Sequence, residues 1–211
     1  MAEFASYLHI RRGVTALIGS GGKTTLMLRL ARELRAYGSV IVTTSTHIFP
    51  PEGMPVLPET QKLADHALCC VAAPAENGKL CAPQQPFEAL AALADFVLVE
   101  ADGSARRPLK AHLPHEPVIP AAAGEVICLV GATGIGKPVF EAAHRPERFV
   151  ALGGDTVATP EAITRVLRAE ALFSKVLINQ ADAAPEEAER LARLLGCPAV
   201  SVQKGEILCE Y

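Results

Sequence analysis

Near the start of the chain, Gly19-Ser20-Gly21-Gly22-Lys23-Thr24-Thr25 has the composition of a phosphate cradle. Its glycines let the backbone turn sharply and aim successive N–H groups at anionic oxygens. A helix beginning there adds about half a positive charge. Lys23 has the reach to meet β- and γ-phosphates, and the Thr24 hydroxyl is a natural Mg2+ ligand. The longer GxxxxGK spacing would need a glycine at position 17, which is Leu17, so this is the shorter G-x-x-G-K-T-T form. The plain alternative is a glycine turn carrying a surface lysine.

Two acids are spaced to join that chemistry. Phe96–Val99 is apolar and runs into Glu100-Ala101-Asp102. In an extended chain residues i and i+2 point the same way, so both carboxylates can face one Mg2+ site at a strand's C-terminal edge. Open α/β sheets bind ligands at that edge. Arg106, Arg107, Lys110 and His112 follow, interrupted by Pro108, and could clamp an anionic substrate or complement transition-state charge. A solvated basic loop is the competing reading. Lys23, Asp102 and Arg106 are the expected catalytic groups.

Thr43-Thr44-Ser45-Thr46-His47 offers four hydroxyls and an imidazole, from which Thr44 and His47 are expected, with Arg107 and Lys110, to contact substrate. Threonine is also ordinary in strands. Asn179-Gln180-Ala181-Asp182 resembles the N-K-x-D base-reading motif of GTPases, with Gln for Lys, and gives Asn179 and Asp182 as candidates for facing a base. The alternative is an Asn and Asp capping the next helix. A second glycine string, Gly131 to Pro138, has the GxxxxGK spacing but Pro138 where the Mg2+-binding hydroxyl would stand, so it reads as a loop after a strand.

These groups need a scaffold, and the hydrophobic pattern supplies one. Val14–Ile18 is a short buried strand. Met27, Leu30, Ala31 and Leu34 repeat with helical spacing, and Val40–Thr43 is the next strand. Pro50–Pro58 reads as a loop and Leu68–Ala73 as a strand. Asn77-Gly78 is a hairpin turn returning Lys79–Ala82 antiparallel. Pro86–Ala94 is a helix, Phe96–Val99 a central strand, Asp102–Pro120 a long loop and Val126–Val130 a strand. Thr159-Pro160-Glu161 is an N-cap, an N1 proline and a first-turn acid, opening a helix through Ile163, Val166 and Leu167. Lys175–Asn179, Glu186–Leu195 and Ala199–Val202 complete a strand–helix–strand run. The alternation predicts an α/β fold: a three-layer P-loop NTPase-like sandwich with a mostly parallel sheet, as one domain over 1–211.

Composition agrees. The 211 residues are 50% hydrophobic and 20% charged, which excludes intrinsic disorder. Aromatics reach only 5% with no Trp, and the net charge is −3, a poor basis for nucleic-acid binding. Charged residues interrupt every apolar stretch, and MAEFASYLHIRR lacks the order of a signal peptide, so neither membrane insertion nor export is expected. The six scattered cysteines read as small, reduced core residues of a cytoplasmic protein.

The glycine loop's spacing resembles that of the Mur ligases and folylpolyglutamate synthetases. Taken together, GSGGKTTLM, VTTSTHIFPP, VEADGSARRPLKAH, GATGIGKP, HRPERF and VLINQAD resemble the YqeC family, in order from about Gly13 to Val202. Ser45 stands where the family pattern suggests another Thr. The resemblance implies a cytoplasmic P-loop accessory protein in maturation of the molybdenum–selenium cofactor of selenium-dependent molybdenum hydroxylases. With the residues above, it gives the expectation of a Mg2+-dependent protein binding ATP or GTP. Such a protein would be an NTPase or phosphoryl/nucleotidyl transferase acting on an anionic cofactor-like small molecule. The alternatives are a nucleotide-gated carrier docking on the apo-hydroxylase, and a degenerate loop that binds no nucleotide. No residue for handling selenium stands out, and Cys69-Cys70 sit in core-like surroundings.

Overall fold

Strands that are apolar along their whole length must be covered on both sides, and that requirement organises this chain. The computed structural model describes residues 3–210; residues 1, 2 and 211, the ends of the expected 1–211 domain, lie outside the described residues. The first half contains α1 (Phe4–Tyr7), β1 (Gly13–Gly19), α2 (Lys23–Leu34), β2 (Val40–Thr44), β3 (His47–Ile48), β4 (Val56–Leu57) and β5 (Leu68–Val71). Then come β6 (Ala73–Pro74), β7 (Leu80–Cys81), α3 (Phe87–Leu93), β8 (Phe96–Glu100) and β9 (Leu109–Lys110). The second half contains β10 (Ala123–Gly131), α4 (Val139–Ala142), β11 (Ala143–His144), α5 (Pro146–Ala151) and α6 (Pro160–Glu170). It closes with β12 (Lys175–Asn179), α7 (Pro185–Leu195), β13 (Ala199–Ser201) and β14 (Glu206–Cys209).

Nine strands form the central sheet in the order β14-β13-β12-β10-β1-β8-β2-β5-β4, and only the β13–β14 pair is antiparallel. Side-chain alternation sends Leu17, Leu98 and Leu129 to one face and Ala16, Ile18, Val97 and Val99 to the other. On the first face α2 buries Leu26, Met27, Leu30 and Leu34, joined by Phe4 of α1. On the second, α6 contributes Ile163, Val166 and Leu167, α7 contributes Leu191 and Ala192, and α5 contributes Phe149. Leu90 of α3 covers Ile41, Val97 and Val99. The result is a three-layer α/β sandwich with a mostly parallel sheet, of the P-loop NTPase-like kind. Among the described residues, no helix is long and apolar enough to cross a membrane.

Three details depart from the sequence expectations. The Asn77-Gly78 turn does return the chain antiparallel, but β7 pairs with β6 and β3 in a separate small sheet and leaves β5 to the main one. The Pro50–Pro58 loop contains the edge strand β4, bracketed by Pro55 and Pro58, residues that an edge tolerates because one side of it needs no donors. The Asp102–Pro120 loop contains β9, which pairs in parallel with β11.

Parallel register brings the strand ends together. Leu17 and Thr44 lie beside Glu100, and Gly131 lies beside Asn179. The C-terminal edge of the sheet therefore collects residues from distant parts of the chain.

The start of α6 follows the N-terminal pattern expected of it: the Thr159 hydroxyl accepts from the Ala162 N–H at 3.2 Å, with Pro160 at the first helical position. Thr159→Ala should lower stability by about 1 kcal/mol in urea unfolding. An unchanged midpoint would show that this cap carries no weight.

Candidate functional site

The loop between β1 and α2 has a shape that only glycine allows. Gly19, Gly21 and Gly22 have φ of +86°, +89° and +113°. A Cβ at Gly19 would lie 2.3 Å from the Leu129 carbonyl oxygen, and one at Gly21 would lie 2.4 Å from the Gly131 Cα. Conformation and close packing on β10 thus make the same demand. Helix α2 begins at Lys23 with no side-chain cap, so its first-turn N–H groups lack that partner. The Ser20 Oγ is buried and unpaired among the described residues. A buried unpaired hydroxyl is costly, and here it sits in the loop that would cradle an anion.

Lys23 folds inward. Its ammonium donates to the Gly19 carbonyl at 2.6 Å and lies 2.9 Å from Asp102 Oδ1 and 4.0 Å from Glu100 Oε1. Thr24 donates its hydroxyl to Glu100 Oε2 at 2.7 Å. Thr24 and Thr25 remain exposed to a cleft of about 530 Å3 above the loop. Glu100 lines the same cleft, together with His47, Phe49, Lys79 and Gly103–Arg106. A smaller cleft of about 150 Å3 lies across the loop, between Gly21, Arg106, Arg107, Thr133 and Gln180.

Asp102 is enclosed completely. Its Oδ2 accepts from the Gly19 N–H at 2.9 Å and lies 2.7 Å from His112 Nε2 and 3.4 Å from the Lys110 ammonium. The other ring nitrogen, His112 Nδ1, lies 2.9 Å from Glu170 Oε2 at the end of α6. Both nitrogens face carboxylate oxygens, which accept only, so both must donate and the ring is an imidazolium. Burial pushes the His112 pKa down, but the bonds to Asp102 and Glu170 outweigh it and hold it above its ordinary value. Burial likewise pushes Asp102 up, yet His112, Lys23 and Lys110 bring it down to about 2. Glu100 goes the other way: burial raises it, with Lys23 and Thr24 only partly opposing.

The placements refine several expected roles. Asp102 and Glu100 were equal candidates for metal; Asp102 has its carboxylate committed to loop, lysines and histidine, while Glu100 faces Thr24 at the cleft. Lys110, expected to clamp substrate, has an ammonium with no exposed surface, donating to the Gly103 carbonyl at 2.6 Å and 3.3 Å from Glu116. It is an internal counter-ion, sharing with Lys23 and His112 the neutralisation of the buried Asp102. Asn179, expected to face a base, donates to the Gly21 carbonyl at 2.7 Å and accepts from the Val202 N–H at 2.9 Å. Both ends of its carboxamide hold backbone, so it positions the loop. Asp182 pairs with Lys204 at 3.0 Å, and hydrogen bonds from Ser201 and Lys204 hold its pKa below the ordinary value.

Thr44 donates to the Glu100 carbonyl at 2.8 Å and accepts from the Thr46 N–H at 3.0 Å, a turn-forming use of its hydroxyl. Arg107 donates to the Glu141 carbonyl. Arg106 is exposed at the cleft, and it and Ala105 both have positive φ, +59° and +48°. Non-glycine residues take that conformation at some cost, which tends to mark functional loops. Sequence reasoning missed Glu170, Glu116, Phe49 and Lys79; only Phe49 stands in a quoted segment, VTTSTHIFPP, and only folding brings the four to this edge. Among the described residues no cluster of three or more His, Cys, Asp or Glu is arranged for a metal ion.

The profile of the family described as YqeC protein matches residues 15–147. A protein of Escherichia coli (strain K12), described as uncharacterized protein YqeC, is 37% identical over 170 residues, covering 72% of this chain and 64% of the relative. The matched part is thus less than two thirds of that relative's length. No solved structure matches the chain.

The buried cluster should give stability a two-sided pH dependence. The raised folded pKa of His112 contributes stability that is present below its ordinary value of 6.5 and lost as pH rises through the folded value. The lowered folded pKa of Asp102 contributes stability present above 3.8 and lost as pH falls toward about 2. Urea unfolding should be most resistant between those limits, and His112→Gln should flatten the alkaline side. The same alkaline slope in the variant would remove His112 from the account.

Proposed function

The chain belongs to the YqeC family, and from that footing we propose that it binds a Mg2+-nucleoside triphosphate at Gly19–Thr25 and hydrolyses it or transfers a group from it. The carrying observation is that a glycine loop runs into an uncapped helix whose Lys23 and Thr24 stand beside Glu100, with the Thr24–Glu100 bond at 2.7 Å. The orphaned Ser20 hydroxyl and the first-turn N–H groups suit phosphate oxygens. Thr24 and Glu100 are the oxygen donors that would hold Mg2+, leaving its other positions to water and phosphate, as this cation prefers. When bound there, Mg2+ would neutralise charge developing on the phosphates.

The chain's own residues supply the rest. Lys23 is held ready by Asp102 and the Gly19 carbonyl, and exchanges that pairing for phosphate oxygens on binding. Arg106, exposed at the cleft mouth, complements charge developing in the transition state. Asn179 and Asp102 keep the loop open through Gly21 and Gly19. The base, adenine or guanine, lies toward the small cleft beside Gln180. The second substrate is an anionic, cofactor-sized molecule, and the family resemblance puts the work in maturation of the molybdenum–selenium cofactor of hydroxylases.

One observation favours a nucleotide-gated carrier as the second reading. Asp102 connects Lys23 to Lys110 and His112, so drawing Lys23 toward phosphate disturbs the segment around β9, as nucleotide switches do. Turnover with a small molecule alone favours the enzyme; stimulation only by an apo-hydroxylase favours the carrier.

Thermal-shift titration with ATP and GTP, with and without Mg2+, tests binding. At a nucleotide concentration a hundredfold above Kd the folded state should gain about 2.7 kcal/mol. Lys23→Ala should abolish the shift, whereas Glu100→Gln should remove its Mg2+ dependence. Absence of a shift with either nucleotide would overturn the reading.

A further inference from the structure

The cleft above the phosphate loop continues beyond it. A second cleft, about 770 Å3, shares His47, Lys79 and Gly103 with the first and extends past Thr46, Asn77 and His115. It shares no lining residue with the small cleft beside Gln180. One part of its lining is His47 of β3 and the turn from Ala75 to Lys79 that joins β6 to β7 of the small sheet.

The lining is rich in donors. Among the described residues Lys79 and His47 have no ion-pair partner. Lys79 instead lies 5.3 Å from the centre of the Phe49 ring, which is 54% exposed. Thr46, Asn77 and His115 add hydroxyl, amide and imidazole groups. Of the two lining acids, Glu116 is taken up by Lys110 and Arg145, each at 3.3 Å. Glu76 is exposed in the Asn77-Gly78 turn.

We propose that this second cleft is the acceptor subsite, binding the phosphate group of a phosphorylated small molecule through Lys79 and His47. Lysine and imidazole donors give charge-assisted bonds to phosphate oxygens, and Phe49 offers a flat apolar face beside them. The acceptor role rests on the nucleotide reading; phosphate binding here does not. In the transfer, an acceptor oxygen bonds to the γ-phosphorus while the bond from that phosphorus to the β–γ bridging oxygen breaks. The diphosphate keeps the electron pair, and the acceptor's proton passes to water.

Inorganic phosphate, titrated into the full chain at constant ionic strength and followed by amide NMR, tests the site. Saturable shifts are expected at Thr46, His47, Asn77 and Lys79, and they should persist in Lys23→Ala. Lys79→Ala should weaken binding about tenfold, consistent with losing one charge-assisted contact. Lys79→Arg should retain it, and Glu76→Gln should tighten it. Shifts confined to residues 19–25, or unaffected by Lys79→Ala, would overturn the proposal while leaving the nucleotide reading standing. Shifts at Lys79 in a protein that gives no thermal response to ATP or GTP would support this site and defeat the nucleotide reading instead.

Discussion

A carboxylate with no exposed surface has lost its water, and it stays ionised only if neighbours replace every interaction that water supplied. Asp102 meets that condition with one backbone N–H, two ammonium groups and an imidazolium. The partners come as two pairs from distant parts of the chain. Gly19 ends β1, Lys23 starts α2, and Lys110 and His112 lie at and just beyond β9. Through His112 the arrangement reaches Glu170, at the far end of α6. Removing the carboxylate would leave cations facing one another in a low-dielectric interior, so the loop, the β9 segment and α6 are held in place by the same charge.

That charge is usable because the parallel sheet delivers its partners to one edge. The strands β1, β2, β8, β10 and β12 all point the same way, so Gly19, Thr44, Glu100, Gly131 and Asn179 end side by side. The glycines of the loop press against β10, and Asn179 ties Gly21 to the turn after β13. Hydrophobic burial of alternating strand residues fixes the register. The polar contacts then have little freedom left, which makes their geometry reproducible at modest entropic cost.

Features carried by neighbouring residues were legible in the sequence. The loop from Gly19 to Thr25, the helical spacing of Met27 to Leu34, the cap at Thr159 and the strand ending at Glu100 depend on local backbone preferences. Their positions in the fold agree with that reading. What the sequence hid depends on distance along the chain. Glu170 lies 58 positions from His112, and nothing local distinguishes it from any acid at the end of a helix. Lys110 sits in a run of basic residues that looks solvated, yet its partners Asp102 and Glu116 draw it inside. The strands of the small sheet are two residues long, too short for any alternation to show, so the Asn77-Gly78 return was legible but its pairing with β3, which brings Lys79 toward His47 and Phe49, was not.

The two carboxylates at the end of β8 illustrate the same division. Spacing alone places Glu100 and Asp102 on one side of a strand and makes them interchangeable. Burial separates them: Asp102 is surrounded by cations and kept ionised, while Glu100 is raised by desolvation and left beside a hydroxyl at the cleft. One acid holds the loop and the other is free to meet a cation. A crystal structure of the protein with Mg2+ and a non-hydrolysable ATP or GTP analogue tests this division most directly. The account predicts phosphates on the N–H groups of Gly21–Thr25, Lys23 moved from Asp102 to phosphate oxygens, Glu100 and Thr24 on the metal side, and Asp102 still bound to Gly19 and His112. Phosphates seated elsewhere, or Asp102 itself ligating the metal, would contradict it.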